Sequence, residues 1–257
     1  MRLIRLHGQP IGDETRPLIC TPLVGRTPEA VLDELGVIVP KEPDVIEWRV
    51  DFFQDIGNVA TVIDVAGRIR KGAGAIPIIF TCRSMNEGGE RITLGSADIV
   101  RLHVAVCATR CVDAIDYELS NPAHELAQLR QASRANDVAM IMSYHNFQST
   151  PDTPALVAKF MEAERLGADI GKVAVMPKSP ADVLTLLGAV WRASQEGGIP
   201  LIGMSMGGFG SVSRLVGGVF GSALTFAVGK SSSAPGQIAI EDLRTALTTM
   251  GKALTGK

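Results

Sequence analysis

Eight short apolar runs rich in β-branched residues alternate with segments of helical spacing, and the run centres lie about 23 to 38 residues apart. Together these observations predict a (β/α)8 barrel, since parallel strands covered on both faces read as continuous apolar runs. The length of 257 residues agrees with one such barrel of about 250. No linker, low-complexity tract or shift of composition divides the chain, so a single barrel domain spanning 1–257 is expected. The competing open, doubly wound sheet calls for a glycine-rich first turn, and Thr21-Pro22-Leu23-Val24-Gly25 holds one glycine.

Residues 1–16 precede the first barrel strand and are expected to form a short hairpin over one barrel end. Strands then fall at 18–21, 45–50, 76–81, 114–118, 139–143, 172–176, 200–204 and 223–228. Helical spacing occupies 28–35, 59–70, 97–108, 122–135, 153–166, 181–195 and 240–254. Ser179 before Pro180, with Asp182 in the first turn, and Asn121 before Pro122, with Glu125 behind it, read as helix starts: a side-chain acceptor serves the free N–H groups, and proline has no N–H to lose. Gly36, Gly72 and Gly167 read as helix ends, where glycine adopts the left-handed conformation without a Cβ penalty. Between the last two strands, Met206-Gly207-Gly208-Phe209-Gly210-Ser211-Val212-Ser213 reads as a polar, glycine-rich run.

The balance of 25 Lys+Arg against 27 Asp+Glu leaves a formal charge of −2, which excludes a polybasic nucleic-acid-binding domain. The apolar fraction of 46% excludes disorder. Uncharged runs such as 215–229 fall short of the ~18 residues of a membrane span and are broken by Gly, Ser and Thr. Arg2, Arg5 and His7, followed by Asp13 and Glu14, leave no apolar core for a secretory signal, so a cytosolic protein is expected. Cys20, Cys82, Cys107 and Cys111 form no C-x-x-C pair and read as free thiols, the last two one helical turn apart.

A barrel places its chemistry at the carboxyl ends of its strands, and those ends are polar here. The second strand closes with Glu47-Trp48-Arg49-Val50-Asp51, and a period of two puts Glu47, Arg49 and Asp51 on one face. The third closes with Thr81-Cys82-Arg83, and its loop carries Glu87 among glycines that let it reach a pocket. The fifth ends at Ser143-Tyr144-His145. Lys172 stands in a strand, Lys172-Val173-Ala174-Val175-Met176; an ammonium turned into the barrel would be desolvated, which favours the neutral amine that attacks a carbonyl to form a Schiff base. Spacing alone also fits a lysine reaching solvent at the barrel bottom or paired with Asp169, a structural His145 and a solvated Glu87. Arg214, after the glycine-rich run, offers two parallel N–H bonds to a carboxylate, and 231–237 is a flexible segment fit for a lid or a plain loop.

Two motifs mislead. Gly203-Met204-Ser205-Met206-Gly207 matches a nucleophile elbow, but that mechanism needs a later histidine, and His7, His103, His124 and His145 all precede Ser205. His124-Glu125 opens like a zinc-protease helix, yet Gln128 stands at the last position. The glycine runs lack the spacing and lysine of a nucleotide loop.

Taken together, the segments Glu47 to Asp51, Phe80-Thr81-Cys82-Arg83-Ser84 with Glu87-Gly88-Gly89-Glu90, Ser143 to His145, Lys172 to Pro177, Met204 to Gly207, Ser213-Arg214 and Ser233-Ala234-Pro235-Gly236-Gln237 resemble the type I 3-dehydroquinate dehydratases of the shikimate pathway. The resemblance covers nearly the whole chain and implies a (β/α)8 barrel, usually a homodimer, that dehydrates 3-dehydroquinate to 3-dehydroshikimate by syn elimination with no metal or cofactor. It implies that Lys172 forms an iminium with the C3 ketone, that His145 removes the C2 proton and returns it to the departing C1 hydroxyl, and that Glu87 orients His145. Arg214 would clamp the carboxylate, Glu47, Arg49 and Arg83 would hold ring hydroxyls, Met206 would pack on the ring, and Ser233 and Gln237 would close over it. Thr21 stands where many relatives have serine and keeps the hydroxyl, while Tyr144 and Asn86 depart from the relatives' residues. The rival readings are a Schiff-base aldolase on the same barrel and a non-catalytic barrel that binds a small carboxylate. The sequence marks no helix face apolar enough to name a dimer interface.

Overall fold

A computed structural model of the chain describes residues 4–12 and 16–256. The short strands β1 (Ile4–Leu6) and β2 (Gln9–Ile11) form an antiparallel hairpin. Eight parallel strands follow: β3 (Leu18–Leu23), β4 (Val45–Arg49), β5 (Ile78–Thr81), β6 (Ala114–Glu118), β7 (Ala139–Asn146), β8 (Ile170–Val175), β9 (Leu201–Ser205) and β10 (Leu224–Val228). The sheet runs β10-β3-β4-β5-β6-β7-β8-β9, and the ring closes where Ala223 N donates to Leu201 O at 2.7 Å while Leu18 N donates to Ala223 O at 2.9 Å. A two-residue strand, β11 (Ile238–Ala239), adds to β10.

Helices α1 (Pro28–Ile38), α2 (Val59–Ala73), α3 (Ser96–Thr109), α4 (Ala123–Ala135), α5 (Thr153–Arg165), α6 (Pro180–Glu196), α7 (Gly207–Val216) and α8 (Ile240–Thr255) pack outside the ring. Trp48, between Phe53 and Phe80 in edge-on contacts of 5.8 and 5.6 Å, belongs to the layer between strands and helices. Ile4, Leu6 and Ile11 of the hairpin are buried with Leu18, Val45, Ile79, Ile141, Ile170 and Ile202 inside the ring, so the hairpin plugs the amino-terminal mouth. Chemistry is thereby confined to the other mouth. The hairpin expected at 1–16 is present, although 1–3 and 13–15 lie outside the described residues.

At the plugged end three aspartates repeat one arrangement. Asp44, Asp113 and Asp169 each stand immediately before a strand, β4, β6 and β8. Their carboxylates accept the N–H of Ile19, Ile78 and Met140 at 2.8, 2.7 and 2.9 Å, and their own N–H groups donate back to the carbonyls of the same three residues. Each carboxylate also meets an arginine, Arg16, Arg70 and Arg130 respectively.

Several local expectations shift. Gly36 and Gly72 lie inside α1 and α2, and Gly72 is there for closeness, because a Cβ on it would sit 2.6 Å from Leu35 Cδ2. The end of α2 is Gly74, at φ 58°. Pro122 itself caps α4, while Asn121 donates to the Glu118 carbonyl at 3.1 Å. Cys111 falls beyond α3 rather than one turn along it from Cys107. The glycine-rich run is helical: α7 forms because Ser213 Oγ accepts from Ser205 N at 2.8 Å and because Gly210 lets the helix touch β9, where a Cβ would meet the Ser205 carbonyl carbon at 2.4 Å. Among the described residues no helix is long and apolar enough to cross a membrane.

Candidate active site

At the carboxyl ends of the strands a cavity of about 450 Å³ opens, walled by Lys172, His145, Glu87, Glu47, Arg49, Arg83, Met206, Arg214, Ser233 and Gln237. Ten of the eleven site residues expected from the sequence therefore meet in one place. Thr21 does not: β3 pairs it with Ile46 of the outer core, so its neighbour Cys20 faces the ring interior and Thr21 faces the helices, its hydroxyl buried without a hydrogen-bond partner. Alternation along a strand allows one or the other.

Lys172, reaching inward from β8, is 5% exposed, with Nζ 2.8 Å from Asp116 Oδ2 and 3.4 Å from Glu47 Oε1, over the Phe226 ring at 4.8 Å. It reaches neither solvent at the barrel bottom nor Asp169, which Arg130 holds. Two carboxylates, Asp116 and Glu47, thus accept from the buried Nζ. Asp116, wholly buried on β6, was not singled out from the sequence. Its Oδ1 accepts from Ser143 Oγ at 2.6 Å and from Arg83 Nη2 at 2.8 Å. Burial would raise its pKa, but Arg83 and then Lys172 outweigh burial and hold the carboxyl well below the usual range. Arg83 also donates to Glu118 at 3.0 Å; burial works against its charge, yet Asp116 and Glu118 hold it above the ordinary arginine value.

His145, next to last in β7, has Nδ1 2.9 Å from Glu87 Oε2, and its backbone N–H donates to the same oxygen at 2.9 Å. Ser120 Oγ donates to the other Glu87 oxygen at 2.9 Å. Burial, then the charges of Arg83 and Lys172, push the imidazole well below its ordinary pKa, so the ring is neutral near pH 7. Burial, then Glu118, pushes Glu87 up to about 7. The Nδ1 contact leaves Nε2 for a ligand in the cavity. Gly88, at φ 85°, holds this turn against Phe147, where a Cβ would lie 2.2 Å from the ring.

Arg49 and Asp51, expected on one face, pair with each other: Nε and Nη2 donate to the two carboxylate oxygens at 2.9 and 2.8 Å. Arg214 contrasts with the other buried cations. It is 1% exposed and meets no carboxylate among the described residues; Nη1 donates to Phe226 O at 3.3 Å, Nη2 to Pro235 O at 3.1 Å, and Nε has no partner. Burial lowers its pKa to about 10, which leaves it charged at neutral pH. The loop after β10 folds over this arginine, with Gly207 N donating to Pro235 O at 3.1 Å and Gln237 Nε2 to Ser233 Oγ at 3.2 Å. No group of three or more His, Cys, Asp or Glu fit to hold a metal ion occurs among the described residues.

The model of the type I 3-dehydroquinase family matches residues 19–253. A 3-dehydroquinate dehydratase of Albidiferax ferrireducens is 55% identical over 251 residues, 98% of this chain and 95% of that protein. One from a Geobacillus species is 51% identical over 98% of this chain and 96% of its own length. Among solved structures, the 3-dehydroquinate dehydratase of Geobacillus kaustophilus superposes with a TM-score of 0.95 at 47% identity, covering 97% of this chain and 96% of that one. The type I enzyme of Clostridium difficile, solved with covalently modified comenic acid, gives 0.94 at 37% identity and covers 98% and 99%.

Proposed function

The chain belongs to the type I 3-dehydroquinase family and is a hydro-lyase acting on 3-dehydroquinate in the shikimate pathway, and on that footing we propose that it works as one catalytic domain through a Schiff base on Lys172. The observation that carries this reading is the shared cavity: a buried primary amine, a neutral imidazole tied at Nδ1, and a buried guanidinium that meets no carboxylate among the described residues.

The amine of Lys172 attacks the C3 ketone, the carbonyl oxygen leaves as water, and a protonated imine remains. That cation draws electrons from the adjacent C2–H bond, and His145 Nε2 takes the proton to give an enamine. Return of the enamine electrons expels the C1 hydroxyl, which leaves as water with the proton that His145 gives back. Water then hydrolyses the product iminium and frees Lys172; this water balances the one lost in imine formation, so one water is removed overall. Glu87 keeps the imidazole in the tautomer with its lone pair on Nε2, and the neutral state of His145 leaves that lone pair available to take the proton. Arg214 takes the substrate carboxylate in two parallel bonds, which supplies the anion its buried charge lacks. Glu47, Arg49 and Arg83 meet ring hydroxyls, Met206 packs on the ring, and Ser233 and Gln237 cover it from the last loop.

The four free cysteines support a reducing, cytoplasmic setting, and the formal charge of −2 supports a small-molecule substrate without a nucleic-acid partner. A homodimer is part of the proposal. Exposed Leu184 and Trp191 on α6, beside Phe209 and Val212 on α7, supply apolar surface that the sequence did not reveal. Light scattering at micromolar concentration tests this, and a mass of one chain refutes it. The mechanism is tested by mixing the protein with 3-dehydroquinate and borohydride, which reduces an iminium to a stable amine. A ligand-derived mass on the Lys172 peptide is expected; an unmodified Lys172 in folded, active protein overturns the reading.

A further inference from the structure

We propose that Asp116 is a positioning residue for the amine: together with Glu47 it pins two of the Nζ hydrogens of Lys172, so that loss of the third leaves the nitrogen lone pair directed into the cavity. The inference rests on the Schiff-base reading and deepens it.

A tetrahedral ammonium has one bond to Cε and three hydrogens. Asp116 Oδ2 at 2.8 Å and Glu47 Oε1 at 3.4 Å account for two of these. Lys172 lines the cavity, and the direction facing neither carboxylate is the one a ketone can approach. Direction matters because a neutral amine with a freely rotating lone pair attacks in only a small fraction of its orientations. Asp116 cannot follow the lysine about, since Ser143 Oγ and Arg83 Nη2 both hold its Oδ1 and leave only Oδ2 for Nζ. Glu47 is held more lightly, by Thr81 Oγ1 at 2.9 Å.

The two carboxylates then separate in role as the reaction proceeds. The ammonium gives its third proton to water; Nζ forms a bond to C3 while the carbonyl π pair moves to oxygen. That oxygen takes one proton from the nitrogen and one from solvent and leaves as water. The iminium nitrogen keeps a single hydrogen, which stays with the nearer and firmer acceptor, Asp116. Glu47 is released to a substrate hydroxyl.

The charged or titratable groups around Nζ are Glu47 on β4, Asp116 on β6, Arg83 beyond β5, His145 on β7 and Cys20 on β3. Asp116→Asn removes one negative charge and keeps the shape; Ser143→Ala keeps the charge and loosens its position. The experiment is rapid mixing with substrate and cyanoborohydride across pH, read as the rate of adduct formation on the Lys172 peptide. In Asp116→Asn the adduct forms on the same lysine, its high-pH plateau rate falls about tenfold or more, and its acid limb moves to lower pH, while KM stays within about threefold. In Ser143→Ala the plateau falls by about threefold or more and the acid limb stays in place. Wild-type plateau and acid limb in Asp116→Asn overturn the role of Asp116 alone. Absence of any adduct in the wild-type enzyme overturns the Schiff-base reading and this one with it. If Asp116→Asn does not fold, Ser143→Ala decides, and an unchanged plateau there refutes the positioning role.

Discussion

Replacing Arg214 by alanine is expected to raise KM far more than it lowers kcat. The guanidinium is already stripped of water at 1% exposure and meets no carboxylate among the described residues, so an incoming carboxylate meets a charge whose desolvation cost was met on folding. Breaking a buried, hydrogen-bonded charge pair costs about 3–5 kcal/mol, and at about 1.4 kcal/mol per decade this is roughly two to three and a half decades in KM. Arg214→Lys keeps the charge but loses the planar fork, which forfeits one charge-assisted bond of about 1.5–3 kcal/mol and raises KM by roughly ten- to a hundredfold. The carboxylate is bound alike before and during the elimination, so kcat should move by less than about tenfold. Initial rates followed by absorbance of the conjugated product, over a substrate range wide enough to saturate each variant, give both constants. Should Arg214→Ala keep a KM within about threefold of wild type while melting normally, the arginine is not the carboxylate site.

Other perturbations separate the remaining groups. Lys172→Ala should lose both activity and the borohydride-trapped adduct, whereas His145→Ala should still trap substrate on Lys172 yet turn over about a hundred- to ten-thousandfold more slowly; a His145→Ala enzyme of normal kcat refutes the single-base route. Glu87, pushed from 4.5 to about 7 by burial, binds its proton more tightly folded than unfolded, so its contribution to stability is intact below about pH 4.5 and is lost as pH rises through about 7. Relative to Glu87→Gln, wild-type unfolding free energy in urea should fall by about 3 kcal/mol over that interval, and parallel pH curves would contradict the assignment. Gly236 has φ +76°, and a Cβ there would lie 2.1 Å from the Gly207 carbonyl oxygen, so Gly236→Ala should undock the last loop and raise KM with little change in Tm. An unaltered KM would mean that the docking at Gly207 is dispensable.

Much of this architecture was legible because a parallel barrel strand is buried on both faces and cannot hide its apolar run. All eight strands and seven of the helices stand within a few residues of where spacing puts them. Helix α7 was illegible for a local reason: three of its first four residues are glycines, and what holds it is contact with Ser205 on β9, which helical propensity cannot express. The ten residues that meet in the cavity were found by their motifs, whereas Thr21 was placed only by its position in the resemblance, which does not specify a face. Asp116 was missed although its strand was not. A carboxylate inside an apolar run demands a partner, and its partner Lys172 is 56 positions away, visible only once β6 and β8 face the same interior. The available signal was the pair Asp116 and Glu118, two apart on one face.

The aspartates at the plugged end divide the ring into stapled pairs. Asp44 ties β3 to β4, Asp113 ties β5 to β6, and Asp169 ties β7 to β8, each with an arginine behind it. At β9 and β10 the tie is a neutral hydroxyl, Ser222 Oγ, which accepts from Gly203 N at 3.0 Å, together with backbone bonds through Ala223. Those two strands frame α7, Arg214 and the loop that folds over the cavity. Six strands are thus stapled by aspartate–arginine pairs and the last two by a hydroxyl and backbone bonds, so amide exchange should be slowest at Ile19, Ile78 and Met140 and faster where the ring closes. The more lightly stapled end of the ring is therefore the one that carries Arg214 and the covering loop, while the lysine, the imidazole and the carboxylates beside them stand with the strands stapled by charge.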